Sequence, residues 1–573
     1  MTARPSPWPK VTNQLLPHNL FNIADKYPQI TYAEFPRNPL NISEGYRAIT
    51  FVEVANAVHA VAWWIEQNVG KLEDVDKIGK ETLVYIGPND IRYVVLCLGS
   101  IMCGYKMLFP SPRYGAQALV KLIESVDAKV MLMPESNVPV VDEVLKIKEM
   151  KALKVPAVDW LLSTVTERYP YTKEFEQYKH EPFVCLHTSG TTGFPKPIVW
   201  THDWANSAVQ TMYLDPPPGY EIQEQPLYGL RNCKKMRAFF QFPPFHASGM
   251  FGMIFLPLQL GVVPVYSPLF TTPAEGVQGA LAALDVLAAR DAEDEDIVVD
   301  TVMIGPPCAE HLGKHPEDVL SLSKRASHIG WGGGSVSRAA TNAVTATMKV
   351  MNIMASTEQG MWPCVLPIGA PPKDDSAGYA APHPAFNLRF DPVSKSTDDT
   401  VLYEAVITRN DGVEWKGHIQ PIFKFFTEAK ERRTGDLYAQ HPQDASLWLH
   451  HGRADDMLTF ITNENFFPTV AEERIASHAG VVEVMMVGTR RPKAALILRL
   501  EPGVKLEDVW KVTEEVNQDS PTYARVEKHM VLVTKEPFLK TPKGTVQKRA
   551  MLDLYGKELD DLYEKVGNVA LYV

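Results

Sequence analysis

An α/β fold is predicted for this chain: a large N-terminal domain of helix-covered, mostly parallel sheets, followed by a small C-terminal α+β domain. Three observations predict it. The 573 residues exceed the roughly 250–300 at which one hydrophobic core stops growing. Strand-like and helix-like segments alternate along most of the chain, as parallel strands with crossover helices require. The last stretch has a short strand set of its own, roughly a hundred residues long, which suits a small domain.

Residues 1–45 read as a proline-punctuated lead-in with one short helix at 20–26. Residues 49–51 have strand character and 52–68 helical spacing; 82–86 read as a strand and 90–103 as a helix. Further strand-then-helix pairs fall at 129–133 with 140–151, and at 298–304 with 310–323. The acidic run 288–296 reads as a solvated helix end or loop. The domain division is expected at 1–453 and 454–573. The second part carries 466–478, the strand pair 481–487 and 494–500, a helix at 505–517 and a strand at 531–533.

Composition narrows the function. The chain is 45% hydrophobic and 22% charged, with a formal net charge of −11. It has no long lysine/arginine cluster, which argues against nucleic acid or an anionic membrane as partner. The longest apolar stretches, 93–98 and 250–260, are too short or too interrupted to span a bilayer, and the N-terminus lacks the apolar run of a signal peptide. Cys97, Cys103, Cys185, Cys233, Cys308 and Cys364 are scattered without zinc-like pairing, which predicts reduced core residues in a cytoplasmic enzyme.

The most informative segment is His187-Thr-Ser-Gly-Thr-Thr-Gly-Phe-Pro-Lys-Pro197. Glycines let backbone amides approach an anion, and hydroxyls and an ammonium complete a polyphosphate cradle. It is not a P-loop, because Lys196 sits between prolines and Ile198-Val-Trp200 follows as a strand. The loop is therefore expected to join two strands, 183–186 and 198–201. The segment resembles the phosphate loop of the adenylate-forming superfamily: acyl-CoA synthetases, luciferases and the adenylation domains of peptide synthetases.

Other phrases follow in that family's order. Gln241-Phe-Pro-Pro-Phe-His246-Ala-Ser-Gly249 resembles the motif lining the acid pocket, which the resemblance extends to Ala247, Met250, Gly332 and Met354. The aspartate that pairs with an amino-acid ammonium has no clear counterpart, and a neutral imidazole cannot pair as strongly. An acid without an α-amine, aryl in type, is expected. Ile329–Ser337, with Gly332, Gly333, Gly334 and Ser335, resembles the stretch that passes against adenine. In Met351–Glu358 the resemblance assigns Met354, Ala355 and Ser356 to the nucleotide, Thr357 to the α-phosphate and Glu358 to Mg²⁺. The family's tyrosine-glycine is Met354-Ala355 here.

Arg433-Thr-Gly-Asp436 matches the motif whose carboxylate accepts both ribose hydroxyls, and Gly452-Arg453-Ala-Asp455-Asp456 matches a nucleotide-contacting arginine followed by a hinge aspartate, Asp455. Asn463–Pro468 resembles the loop that approaches the thiol acceptor. In Phe538–Arg549 the family places a glycine followed by the catalytic lysine. Thr545 holds that position here, so Lys543 is the expected catalytic lysine, with Lys548 and Lys540 as alternatives. His450-His451 with Asp455 also fits an acyltransferase pattern, but Asp456 replaces its glycine. His311 and His315 share i, i+4 spacing without a third ligand nearby in sequence and read as exposed polar residues.

The resemblance implies ATP- and Mg²⁺-dependent conversion of a carboxylic acid to an acyl-adenylate, with His246, Thr357, Glu358 and the lysine in catalytic roles. Transfer to a phosphopantetheine thiol follows. Thr188, Ser189, Gly190, Thr191, Thr192, Gly193 and Lys196 would hold the phosphates, and Asp436 and Arg453 the nucleoside. The phrases Ser111-Pro-Arg113 and Lys543-Gly-Thr-Val546 look most like fungal adenylate-forming reductases, carboxylic acid reductases that resemble peptide synthetases. No carrier serine motif and no dinucleotide-binding glycine pattern follows Arg549, so the chain is expected to be the adenylation part, with carrier and reductase domains as partners. A free-standing acyl- or aryl-CoA synthetase and a non-catalytic nucleotide-binding scaffold are the other two readings.

Overall fold

The computed structural model describes residues 7–74, 77–189, 195–222, 236–291, 298–334, 336–368, 378–395, 400–410, 420–461, 464–540 and 545–565. The chain divides into two compact units. The larger runs to Phe386 and includes Arg409–Ala429; the smaller comprises Asn387–Thr408 and the chain from Lys430 onwards.

Two large sheets, with two small ones beside them among the described residues, build the larger unit. The first runs in the order Lys349–Ile353, His328–Gly332, Val298–Ile304, Met236–Phe240, Val263–Tyr266, Thr31–Pro36, Tyr46–Thr50, and every pair is parallel except the last. The second runs Lys151–Lys154, Val130–Met133, Thr82–Tyr85, Lys106–Leu108, Pro182–Ser189, Pro195–Thr201, again parallel except the last pair. Helices cover them. Thr50 ends its strand and starts the helix Phe51–Asn68 through a capping box: its hydroxyl accepts from the Glu53 amide at 3.3 Å, and its own amide donates to the Glu53 carboxylate at 2.7 Å. That helix buries Val54, Val58, Val61 and Ile65, one stripe at helical spacing, against Arg92–Met102, whose residues are all buried.

The smaller unit has a four-stranded antiparallel sheet (Leu388–Lys395, Val401–Thr408, Glu431–Gln440, Trp448–Arg453). It also has a three-stranded sheet, Val481–Val487, Ala495–Leu500 and Val531–Thr534. Helices Thr469–Ala476, Leu506–Asp519 and Lys548–Leu554 pack on the latter around Leu496, Ile497, Leu498 and Met551. The α/β class and the α+β C-terminal part thus agree with expectation.

Four local expectations do not hold. Residues 1–45 are more than a lead-in with one short helix: besides the helix Leu16–Lys26 they supply the strand Thr31–Pro36, which pairs into the first sheet. The helix expected at 140–151 is Pro139–Ile147, and Lys151 already belongs to a strand, because the backbone is extended at Lys148. The helix expected at 310–323 is two, Pro306–Lys314 and Pro316–Ser323: proline cannot continue a ladder that needs its missing N–H. The acidic run 288–296 is not simply solvated at its start. Arg290 makes a two-pronged ion pair, 2.7 and 2.9 Å, with Glu34, which is completely buried in the strand Thr31–Pro36. Arg237 adds a contact to Glu34 at 2.7 Å, and Asp291 pairs with both arginines. Five of the cysteines are buried free thiols; Cys233 lies outside the described residues.

Removing one partner of a buried ion network leaves charge without compensation. Glu34→Gln is therefore expected to cost about 3 kcal/mol, within the range for broken buried pairs, read as a lower urea midpoint for the larger unit.

Candidate active site

Parallel strands present all their carboxyl ends on one edge, where ligands bind in sheets of this kind. In the first sheet, the strand ending at Phe240 leads into Gln241–Gly249, the strand ending at Gly332 into Gly333 and Gly334, and the strand ending at Ile353 into Met354–Glu358. Val298–Ile304 lies between the first two, so three motifs leave one run of neighbouring parallel strands. In the second sheet, Pro182–Ser189 pairs with Pro195–Thr201 antiparallel, setting Thr188 opposite Lys196 and Ser189 opposite Pro195. The strand–loop–strand expectation holds, with longer strands than expected. Thr188 is part-buried and Lys196 exposed; Gly190, Thr191, Thr192 and Gly193 lie outside the described residues.

The end of this hairpin reaches the Thr357–Glu358 turn through two tryptophans that sequence reasoning passed over. Trp200 Nε1 donates to the Thr357 carbonyl at 2.8 Å, and Trp204 Nε1 donates to the Glu358 carbonyl at 3.0 Å. The indoles are fully buried and stacked, centroids 4.0 Å apart. Thr201 places the second by capping its helix, accepting from the Trp204 amide at 3.2 Å. Two tryptophans four residues apart, directly after a phosphate loop, were the available signal.

The turn itself joins Ala355–Ser356 to Gly360–Met361. Thr357 is buried and Glu358 part-buried, its carboxylate 3.4 Å from the Ser356 hydroxyl. A carboxylate among hydroxyl oxygens is a donor set that fits a hard cation such as Mg²⁺. Met354 is buried, with its sulfur 3.9 Å from Cys364 Sγ and its carbonyl accepting from the Trp362 amide at 2.8 Å; Ala355 is the exposed member of the pair. Gly333 has φ +88°, a left-handed conformation that favours glycine, and Gly332 and Gly334 flank it part-buried. Ser335 lies outside the described residues.

His246 is buried, its ring edge-on to Phe245 at 4.9 Å, and its extended backbone links the Pro244–Phe245 turn to the short helix Ala247–Met250. A Cβ on Gly249 would lie 2.0 Å from the Pro243 carbonyl oxygen, so only glycine permits this turn. Ala247 is part-buried, whereas Met250 is packed within the main core. His187 Nε2 accepts from the Ser111 amide at 3.0 Å, linking two phrases 76 positions apart.

In the smaller unit, antiparallel register sets Asp436 opposite Arg453. Arg453 Nη1 donates to Asp436 Oδ1 at 3.1 Å and to the Thr434 carbonyl at 3.2 Å, while its Nε donates to Asp455 Oδ1 at 3.1 Å. Burial opposes the guanidinium charge, but Asp436 and Asp455 outweigh it and raise the pKa. The arginine thus holds both the ribose-motif aspartate and the expected hinge residue. Of the alternative lysines, Lys540 pairs with Glu483 at 2.6 Å and Lys548 with Asp456 at 3.4 Å. Burial works against Lys548, yet Glu472 and Asp456 raise its pKa above the ordinary lysine value. Lys543 lies outside the described residues. His450 and His451 sit on the strand Trp448–Arg453 beside Asp436, His450 Nε2 being 3.9 Å from its carboxylate.

Residues 24–392 match the family model of AMP-binding enzymes, and residues 455–567 match that of the AMP-binding enzyme C-terminal domain. The chain belongs to this family, the adenylate-forming superfamily, and is an ATP-dependent ligase that adenylates a carboxylic acid. It is 31% identical over 506 residues to a carboxylic acid reductase of Neurospora crassa, covering 84% of this chain and 44% of that protein. It is 30% identical over 519 residues to the isocyanide synthase–NRPS hybrid crmA of Aspergillus fumigatus, covering 89% and 31%. The chain spans less than half the length of these curated relatives. Among solved structures, the anthranilate CoA ligase AuaEII in complex with anthranoyl-AMP has a TM-score of 0.67 at 15% identity, covering 95% of this chain and 98% of that one. The O-succinylbenzoate CoA synthetase of Bacillus subtilis, in complex with ATP and magnesium ion, has 0.64 at 16%, covering 93% and 98%. These likenesses show the fold. No helix among the described residues is long and apolar enough to cross a membrane.

Trp204→Phe removes one indole donor from the Glu358 carbonyl and keeps an aromatic ring. Trp204 holds the turn that carries Glu358, the expected Mg²⁺ ligand, and loss of a partner that positions a ligand typically costs about 10–100-fold. The expected result is roughly a tenfold lower rate of ATP–pyrophosphate exchange with a higher Mg²⁺ half-saturation, measured at saturating ATP.

Proposed function

We propose that the protein activates an acid lacking an α-amine, aryl in type, and passes the acyl group to a phosphopantetheine thiol on a carrier domain, as the first module of an adenylate-forming reductase. The observation that carries the reading is the Thr357–Glu358 turn, held by Trp200 and Trp204 at the end of the phosphate-loop hairpin. Relatives named as carboxylic acid reductase and adenylate-forming reductase, of which the chain spans 44–46%, support the carrier and reductase as partners.

In the first half-reaction the substrate carboxylate attacks the α-phosphorus of ATP, the bond to the β-phosphate oxygen breaks, and pyrophosphate leaves. An anion attacking a polyanion needs compensating positive charge and donors. Thr188, Thr191, Thr192 and Lys196 would supply them to the phosphates, Thr357 to the α-phosphate, and Asp436 would accept from the ribose hydroxyls. Glu358 would hold Mg²⁺, which when bound neutralises charge on the phosphate oxygens. His246 and Ala247 would border the acid, and Ala355, exposed where Met354 is buried, would offer the adenine contact. The engagement of Lys540 with Glu483 and of Lys548 with Asp456 favours Lys543 as the lysine that bridges carboxylate and α-phosphate.

In the second half-reaction that lysine must withdraw and a thiol must enter, which calls for rotation of 454–573 about Asp455. The thiolate then attacks the acyl carbon and AMP leaves. The C-terminal family model starts at Asp455, which supports a moving part of 454–573, a smaller piece than the compact unit that also holds Asn387–Thr408 and the chain from Lys430.

The primary test is an ATP–pyrophosphate exchange screen over aryl, short aliphatic and α-amino acids; exchange only with α-amino acids would reverse the substrate assignment, and none with any acid would favour the scaffold. Lys543→Ala is expected to lower exchange about 10²–10³-fold, with Lys540→Ala within about tenfold of the parent. Asp455→Pro is expected to leave exchange within a few-fold and to suppress thioester formation, assayed with coenzyme A and a phosphopantetheinylated carrier side by side. Equal loss of both half-reactions would remove the pivot, and turnover with coenzyme A alone would make the protein a CoA synthetase.

A further inference from the structure

His311, His315 and Asp318 are spaced four and three residues apart, the spacing of one helix face, and their side chains stay together across the proline break between Pro306–Lys314 and Pro316–Ser323. His311 is in the last turn of the first helix, His315 is the junction residue and Asp318 lies in the first turn of the second. One ligand atom from each lies within 4.8 Å of the other two. His311 Nε2 is 3.4 Å from Asp318 Oδ2, and the two imidazoles stack with centroids 4.1 Å apart. A third ligand, not expected beside the two imidazoles, is supplied by Asp318, three residues beyond His315.

Two neighbours orient this set. Gln278 Nε2 donates to Asp318 Oδ1 at 2.9 Å, leaving Oδ2 toward His311. Glu317 Oε1 is 3.1 Å from His315 Nδ1, the carboxylate–imidazole contact that fixes ring orientation and raises ligand basicity in metal sites. His311 and Asp318 are 18% and 14% exposed at the side chain, while His315 is 43% exposed and open to solvent.

We propose that His311, His315 and Asp318 bind a divalent transition-metal ion of the zinc class, at a site separate from the Mg²⁺ of the adenylation reaction. Two imidazole nitrogens disfavour Mg²⁺ and Ca²⁺, which take oxygen ligands, and suit Zn²⁺. Around tetrahedral zinc the ligand atoms sit about 3.3 Å apart. Closing from 4.8 Å or less requires shifts of about 1.5 Å at most, within the reach of side-chain rotation. Three protein ligands leave a coordination position for water. The ion would join the two helices across their proline break and so stabilise the folded state.

The test uses the whole chain stripped with a chelator, then titrated calorimetrically with zinc chloride in buffer containing millimolar Mg²⁺. One zinc ion per chain is expected. His311→Ala and Asp318→Ala are expected to weaken binding by about 100-fold or more and Glu317→Gln by about tenfold, with His529→Ala, at an unrelated exposed histidine, unchanged. Zinc should also raise the Tm of the parent and not of His311→Ala. Should a variant fail to fold, cobalt on the intact parent gives the same answer: visible d–d absorption at one equivalent, displaced by one equivalent of zinc. Absence of stoichiometric zinc uptake by the parent, or uptake undiminished in a folded His311→Ala, would overturn the site.

Discussion

Two indole N–H groups hold the candidate site together. Trp200 and Trp204 both come from the segment that follows the phosphate loop, and both bond to carbonyls of the turn that follows the last parallel strand of the other sheet. A buried donor left without a partner costs about 1–3 kcal/mol. The two bonds therefore penalise any displacement of the Thr357–Glu358 turn from the hairpin. Stacking adds rigidity, because neither ring can tilt without disturbing the other. Two sheets that meet the chain far apart in sequence are fastened at the point where phosphate and metal chemistry is proposed.

The same economy appears in the smaller unit. Asp436 and Arg453 belong to separate motifs, yet antiparallel register makes them direct cross-strand neighbours. One guanidinium then bonds to Asp436 and to Asp455, so the ribose motif and the proposed pivot share a single charged group. Occupation of Asp436 by ribose hydroxyls would compete for that guanidinium and alter the restraint on Asp455. Lys548, part-buried, is paired within its own domain with Asp456, and Glu472 adds to the negative charge around it.

Much of this was legible in the residues. The β/α alternation located most strands within one or two positions, because period and propensity act locally, and the strand at 298–304 matches end for end. The phosphate hairpin was legible because Pro195 and Pro197 exclude a helix after the glycines. The misses share a cause. Helical spacing over 310–323 hid the break at Pro316, and the acidic run 288–296 hid the pairing of Arg290 with the buried Glu34, a residue 256 positions away. Met250 and Met354 are both buried, which no spacing rule reports.

By itself the sequence determined the elements, the order of the motifs and the class of chemistry, since glycine, proline, hydroxyl and carboxylate each constrain their own neighbourhood. Only the tertiary structure decided which distant groups meet: Trp204 with Glu358, and Ser111 with His187. The physical reason is that sheet order sets these distances, and hydrogen bonds act over a few ångströms of space irrespective of separation along the chain.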